Sequence, residues 1–469
     1  MTARLVRAVM AGALLTWLAV SPAAAADPSP PAARTPIQHA VFLMGESRSF
    51  DGLFGTYPGA DGIPTGVCMP MDPAKPAAGC VEPQWVGDRT VPKFAQSKTI
   101  FDAQYNGGRM DGFIHAQAAT GPDAPLVMGH YDERDVPYSW NVADTYVLLD
   151  RFFSSARSGS VQNHMYWVSG AAGSDTEVIP SGGFGDLPTV FDRLQAAGLD
   201  WKFYIQNYDR TVTFRNSQAM TDRPAQVERA PLLAFARFLD DPRLSSHVVD
   251  LSQYYRDLDQ GTVPAVSYIV PAGGGASTPT STKAAEQLGQ SIINALTRST
   301  AWPSSMLLWT YDGWGGWFDH VAPPQANAYG AGAWFDHLAP SRVDGYSYGF
   351  RVPALLVSPY ARRGYVDHTQ LDFTSIVRFI TANWGLQPLT GRDATAQTFI
   401  GAFDFVNPGR APVFLPATRD AGATRAEPKR AIIFLAYGIA LAAAIALIGV
   451  AAMRSRRPRR RDQATKAVR

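Results

Sequence analysis

The chain has 469 residues, 46% of them hydrophobic and 17% charged, with 42 Lys and Arg against 40 Asp and Glu. That composition excludes a disordered chain and suffices for one large buried core or two ordinary ones. The net charge of +2 hides basic ends and an acidic middle, and an acidic surface argues against a nucleic-acid partner, whose phosphates demand a basic face.

Residues 1–26 read as a secretory signal peptide: Arg4 and Arg7, an apolar run over 8–20, then small residues. A short apolar strand is expected over 40–44, running into Gly45, the carboxylate of Glu46, and Ser47. A buried strand that ends in glycine and an acid is how an open α/β sheet presents a ligand at its carboxyl edge. Residues 57–96 read as a loop dense in Pro and Gly that holds Cys68 and Cys80. Outside the membrane so close a pair is most simply a disulfide stapling a surface loop, worth about 3 kcal/mol in the chain-entropy view. A zinc site needs more ligands than this.

Farther on, Asn106-Gly107-Gly108 reads as a turn and Asp111 as a helix cap before Phe113. His130 sits in a glycine turn. Val142, Tyr146, Leu149 and Phe153 recur at three- and four-residue steps, so an amphipathic helix is expected through Phe153. Residues 154–170 form a Gly- and Ser-rich turn with Ser158, Ser160, Asn163 and His164, leading into an apolar run. A helix, a glycine stop and a strand follow over 188–204, and 230–258 reads as helical with a break. Strands are expected over 262–271, 305–311 and 352–358, and helices over 283–298 and 370–383. The 305–311 strand delivers Asp312, with Asp319 and His320 just beyond; His368 and Asp372 introduce the last helix. Alternating strands and helices indicate a layered α/β domain.

Residues 408–430, rich in Pro, Ala, Arg and Glu, read as a flexible stalk. Residues 431–453 are uncharged and span about 35 Å as a helix, enough to cross a bilayer. The tail 454–469 is strongly basic and belongs on the cytoplasmic side. Residues 27–407 are therefore expected as an extracellular domain, held at the cell membrane by a single C-terminal pass.

Five stretches carry a family resemblance: ESRSFD (46–51), NGGRMDGF (106–113), SVQNHMYWVSG (160–170), TYDGWGGWFDHV (310–321) and the run 351–380. In this order they resemble the bacterial phosphoesterases that include secreted phospholipases C and a group of acid phosphatases. The resemblance implies a three-layer α/β/α sandwich of the alkaline-phosphatase-like class and hydrolysis of a phosphate ester, from a phospholipid or a small phosphomonoester. It places the nucleophile on Ser160, with the Asn163 carboxamide holding a phosphoryl oxygen; Ser158 stays open as a second hydroxyl. Glu46 and Asp312, with Ser47 as a weak addition, would hold a divalent metal ion. His320 or His368 would protonate the leaving oxygen, and His130 would contact the phosphate or leaving group.

Four positions depart from the family pattern. Ser47 stands for an Asn, Gly313 for a Glu, Trp314 for a His, and Thr278-Pro279 for a His-Pro pair. A missing carboxylate weakens a hard-cation site. The alternative is therefore a catalytically impaired surface relative that binds a phospho-ligand or partner without turnover. Trp309, Trp314, Trp317 and Phe318 would suit a choline-like group, but a packed core is the expectation.

Overall fold

The computed structural model describes residues 29–174, 176–220, 225–271, 281–324 and 348–419. The expected signal peptide, Thr278-Pro279, the apolar stretch 431–453 and the basic tail lie outside them. Among the described residues no helix is long and apolar enough to cross a membrane.

Eight strands make the main sheet: β1 His39–Gly45, β2 Val147–Leu149, β3 Trp201–Ile205, β4 Val248–Asp250, β5 Val266–Val270, β6 Ser305–Tyr311, β7 Ala354–Val357 and β8 Tyr365–Asp367. Their spatial order is β8-β2-β7-β6-β1-β5-β3-β4. β1 pairs in parallel with β5 on one side and β6 on the other. β7 runs antiparallel to both its neighbours, β6 and β2. Strands β5, β6 and β7 are unbroken runs of buried residues, as strands of a sheet covered on both faces must be.

The covering helices are α1 Phe50–Phe54, α2 Lys98–Tyr105, α3 Pro137–Thr145, α4 Ser160–Ser169, α5 Val190–Ala196, α6 Ser252–Gln260, α7 Thr282–Arg298 and α8 Phe373–Asn383. Helices α4, α5 and α8 pack together on one face, and α3, α6 and α7 on the other. The result is the expected three-layer α/β/α sandwich of the alkaline-phosphatase-like class. Trp167 of α4 seats on Tyr268 of β5, ring centroids 4.3 Å apart. On the opposite face Gly289 lets α7 close onto β6, since a Cβ there would lie 2.4 Å from the Trp309 ring. Burying one such ring contributes about 2–3 kcal/mol.

Several local expectations are corrected. The helix expected through Phe153 stops at Thr145, because Val147–Leu149 is taken into the sheet between β7 and β8. Three buried apolar residues suit a covered strand as well as a helix, and here sheet pairing wins. Val248–Asp250 likewise pairs with β3 where helix was expected. Asp111 caps nothing: it accepts from Asn106 Nδ2 at 2.6 Å, and Gly112 precedes the Phe113–Ala116 turn without a side-chain cap. His130 is in a short strand, Gly129–His130, paired with Gln84–Trp85. Cys68 and Cys80 do form a disulfide. The first part of the expected stalk lies against the domain: Arg410 donates to the carbonyls of Thr145 and Ala361, and Arg419 pairs with Glu133 and Asp144.

Candidate active site

The site grows from the register of β1 and β6. Gly45 lies opposite Tyr311, so Glu46 and Ser47 emerge beside Asp312 at the carboxyl edge. The Ser47 backbone N–H and hydroxyl both donate to Asp312 Oδ1, at 2.7 Å each. Asp312 N donates to Gly45 O at 3.2 Å, tying the two strand ends together. Glu46 meets the Arg229 guanidinium at 2.5 Å, with both side chains largely buried.

Ser160 is the first residue of α4, and Gly159 is its N-cap. Its hydroxyl therefore sits where unpaired N–H groups and the helix dipole favour an anion. Gly170 closes the helix at φ 67, the left-handed conformation a C-terminal cap requires. A residue outside the family pattern joins the two halves. Gln96 Nε2 donates to Ser160 Oγ at 3.1 Å and to Ser47 Oγ at 3.2 Å, while its Oε1 accepts from Gly315 N at 2.9 Å. No motif announces Gln96; it lies at the end of the Pro- and Gly-rich loop.

The neighbours divide the roles. Ser158 Oγ reaches the Gly159 carbonyl at 3.5 Å and takes no part in the bridge. Asn163 is fully buried; its Oδ1 accepts from Ala156 N at 2.8 Å, latching the turn that precedes Ser160. Its Nδ2 has no partner among the described residues. His164 Nδ1 lies 2.9 Å from the Ser160 carbonyl, which can only accept, so that nitrogen carries the proton and Nε2 does not. Burial pushes the His164 pKa down, against the pull of Asp312. A cavity of about 730 Å³ opens on Ser160, Gly159 and Gln96, with Lys93, Glu177 and Phe214 also on its wall. Glu177 accepts from Gly159 N at 3.3 Å and Lys98 N at 2.6 Å, so a carboxylate already rests on two helix starts.

His320 and His368 are not brought to Ser160 by any described contact; they belong to a second charged network. Arg351, with no exposure, donates through Nε to Asp319 at 2.9 Å and through Nη2 to Asp51 at 3.0 Å. His320 Nδ1 donates to Asp51 Oδ2 at 2.7 Å. Burial opposes its charge, but the bond and charge of Asp51, with Asp319, outweigh it and raise the pKa. His368 Nδ1 donates to Asp150 at 2.8 Å and lines a cavity of about 370 Å³ with Asp61 and Arg151. Asp150 follows β2, which is three strands from β1, roughly 14 Å at ordinary strand spacing. No described contact links His130 to Ser160. Trp309, Trp314, Trp317 and Phe318 are all core, at most 4% exposed.

The residues beside Ser160 offer a cation few free lone pairs. Hard cations want free oxygen lone pairs at 2.0–2.6 Å. Here Asp312 Oδ1 accepts from two donors, Glu46 pairs with Arg229, and each hydroxyl accepts one N–H of the Gln96 amide, which faces the space between them. Asp51, Asp319 and His320 do bring ligand atoms within 4.8 Å of one another and could by proximity hold an ion of unstated identity. Their carboxylates are already bonded to buried Arg351.

A hydroxyl at a helix start, beside acids at the carboxyl edge of a mostly parallel α/β/α sandwich, is an arrangement that an ester hydrolase can use. More narrowly, the chain belongs to the Phosphoesterase family, whose model matches residues 37–387, and is a hydrolase of phosphate esters. It is 29% identical over 455 residues to phospholipase C A of Mycobacterium tuberculosis, covering 86% of this chain and 84% of that one. It is 26% identical over 437 residues to a non-hemolytic phospholipase C of Pseudomonas aeruginosa, covering 82% of this chain and 60% of that one. Among solved structures, the phosphonate monoester hydrolase of Agrobacterium radiobacter matches with a TM-score of 0.37 and 12% identity over 82% of this chain and 78% of that one.

Proposed function

We propose that the chain is a phospholipase C-like hydrolase in which Ser160 attacks phosphorus, working on the outer side of the membrane that residues 431–453 would span. The observation that carries this is the placement of Ser160 Oγ: at the start of α4, bonded to Gln96 beside the Ser47–Asp312 pair, on the wall of a cavity of about 730 Å³. A cavity of that size suits an organic ester group, and relatives named phospholipase C support a lipid diester over a small monoester.

In this reading the phosphoryl oxygens meet the N–H groups of the first turn of α4. Ser160 Oγ bonds to phosphorus as the bond to the leaving alcohol breaks, giving a phosphoseryl enzyme; water then releases the phosphate product and restores the hydroxyl. The Ser160 proton passes to neutral His164 and on to the leaving oxygen. What supports His164 is that Nδ1 ties its ring to the carbonyl of Ser160 itself and that burial favours its neutral form. His320 and His368 serve the Arg351 network instead. The length and basic flank of 431–453 support the membrane tether.

The test is turnover of a phosphocholine diester and a chromogenic phosphomonoester by the purified full-length chain, with and without Ser160→Ala. A loss of about 10³-fold or more in the variant is expected, with the diester preferred. A folded wild-type chain that turns over neither ester would point to the binding relative.

A further inference from the structure

We propose that the Gln96 carboxamide stands in the place of a divalent cation, so that the Ser160 centre works without a metal. The inference rests on the reading of Ser160 as nucleophile, and two features of the site lead to it. The first is the bridge itself. Gln96 Nε2 lies 3.1 Å from Ser160 Oγ and 3.2 Å from Ser47 Oγ, and Ser47 Oγ lies 2.7 Å from Asp312 Oδ1. An ion shared by these oxygens would have to sit where the amide nitrogen is. The amide turns its N–H groups toward the oxygens, so each hydroxyl spends one of its two lone pairs on it and N–H hydrogens face the space a cation would fill.

The second feature is Gly313, where the family pattern has Glu. A Cβ at Gly313 would lie 3.0 Å from Gln96 Oε1. A side chain at 313 would crowd the Gln96 amide, which would have to give by a few tenths of an ångström, so the pair reads as an exchange of a carboxylate at 313 for the amide. The remaining acid, Glu46, is already neutralised by Arg229 at 2.5 Å. What the exchange retains is a donor on the nucleophile: an N–H held against Ser160 Oγ stabilises the oxygen as its proton leaves, as an ion would, though less strongly. Gly315 N, donating to Gln96 Oε1, fixes the amide orientation so that Nε2 and not Oε1 faces the hydroxyls.

Ion binding is read without substrate, by calorimetric titration of the full-length chain with Mg²⁺, Ca²⁺ and Mn²⁺. The comparison includes Asp312→Asn, Gln96→Glu and the Gln96→Glu/Asp312→Asn double variant. Wild type should show no saturable binding that depends on Asp312. Gln96→Glu removes the donor and adds a carboxylate; it should gain one ion per chain, with a Tm that rises as metal is added, and the double variant should lose both. Wild-type uptake of one ion that Asp312→Asn abolishes would overturn the proposal, as would a folded Gln96→Glu that binds nothing. Should Gln96→Glu fail to fold, wild type against Asp312→Asn still decides. Turnover that survives Ser160→Ala would instead overturn the nucleophile, an outcome that ion binding does not mimic.

Discussion

Two buried carboxylates converge on Arg351. It has no exposure and touches both Asp51 and Asp319, which are also buried. Removing it leaves Asp319 buried without its cation and Asp51 held by His320 alone, so Arg351→Met should cost about 3–5 kcal/mol in urea unfolding. An unchanged midpoint would show that the carboxylates simply take up protons. At Ser160 the same reasoning gives a kinetic expectation. His164 must be neutral to accept a proton, and burial lowers its pKa below the ordinary 6.5. Its neutral form therefore persists as pH falls past that value, and kcat/KM should stay flat there, falling only at lower pH. A decline centred near pH 6.5 would rule out this buried imidazole as the base.

At the scale of elements, helices in this fold cap one another. Glu286 of α7 reaches the start of α3, where it accepts from Tyr138 N at 2.8 Å and Ser139 N at 3.1 Å. Burial outweighs those bonds and pushes its pKa up from 4.5 to about 7. Between those values the folded chain holds a proton that the unfolded chain has lost, so stability falls as pH rises through the window. The effect is on the order of 3 kcal/mol in full. Glu286→Gln should flatten that part of a Tm-against-pH curve, and an unaltered slope would place the titration elsewhere. Elements with a long, regular pattern were legible from sequence: the apolar run of β6 over Ser305–Tyr311 and α8 with its Asp372 cap. β2 and β4 were not, because each has three residues and gains its identity only from neighbouring strands. The site divides in the same way. Ser47, Asp312 and Ser160 follow strand ends and a helix start, which leave marks in sequence. Gln96 and Arg351 act through contacts with residues far along the chain, and nothing local distinguishes them.

For the whole molecule the decisive contact is the return of the chain onto α3 near its C-terminal end. Asn141 Nδ2 donates to the carbonyls of Pro416 and Thr418, and Arg419 pairs with Glu133 and Asp144. Only residues 420–430 then separate this anchor from the proposed membrane stretch, a reach of at most roughly 40 Å. Arg419→Ala removes two ion pairs that are partly exposed, so its cost to stability should be about 1 kcal/mol and should shrink with added salt. It should also loosen the hold at the end of the leash, where only the Asn141 bonds to Pro416 and Thr418 remain, without touching Ser160, Gln96 or Asp312. Turnover of a soluble diester should therefore stay the same while the rate on lipid in the chain's own membrane changes. Equal changes on both substrates would mean that Arg419 acts through the fold of the domain, and that the leash plays no part in bringing the cavity to its substrate.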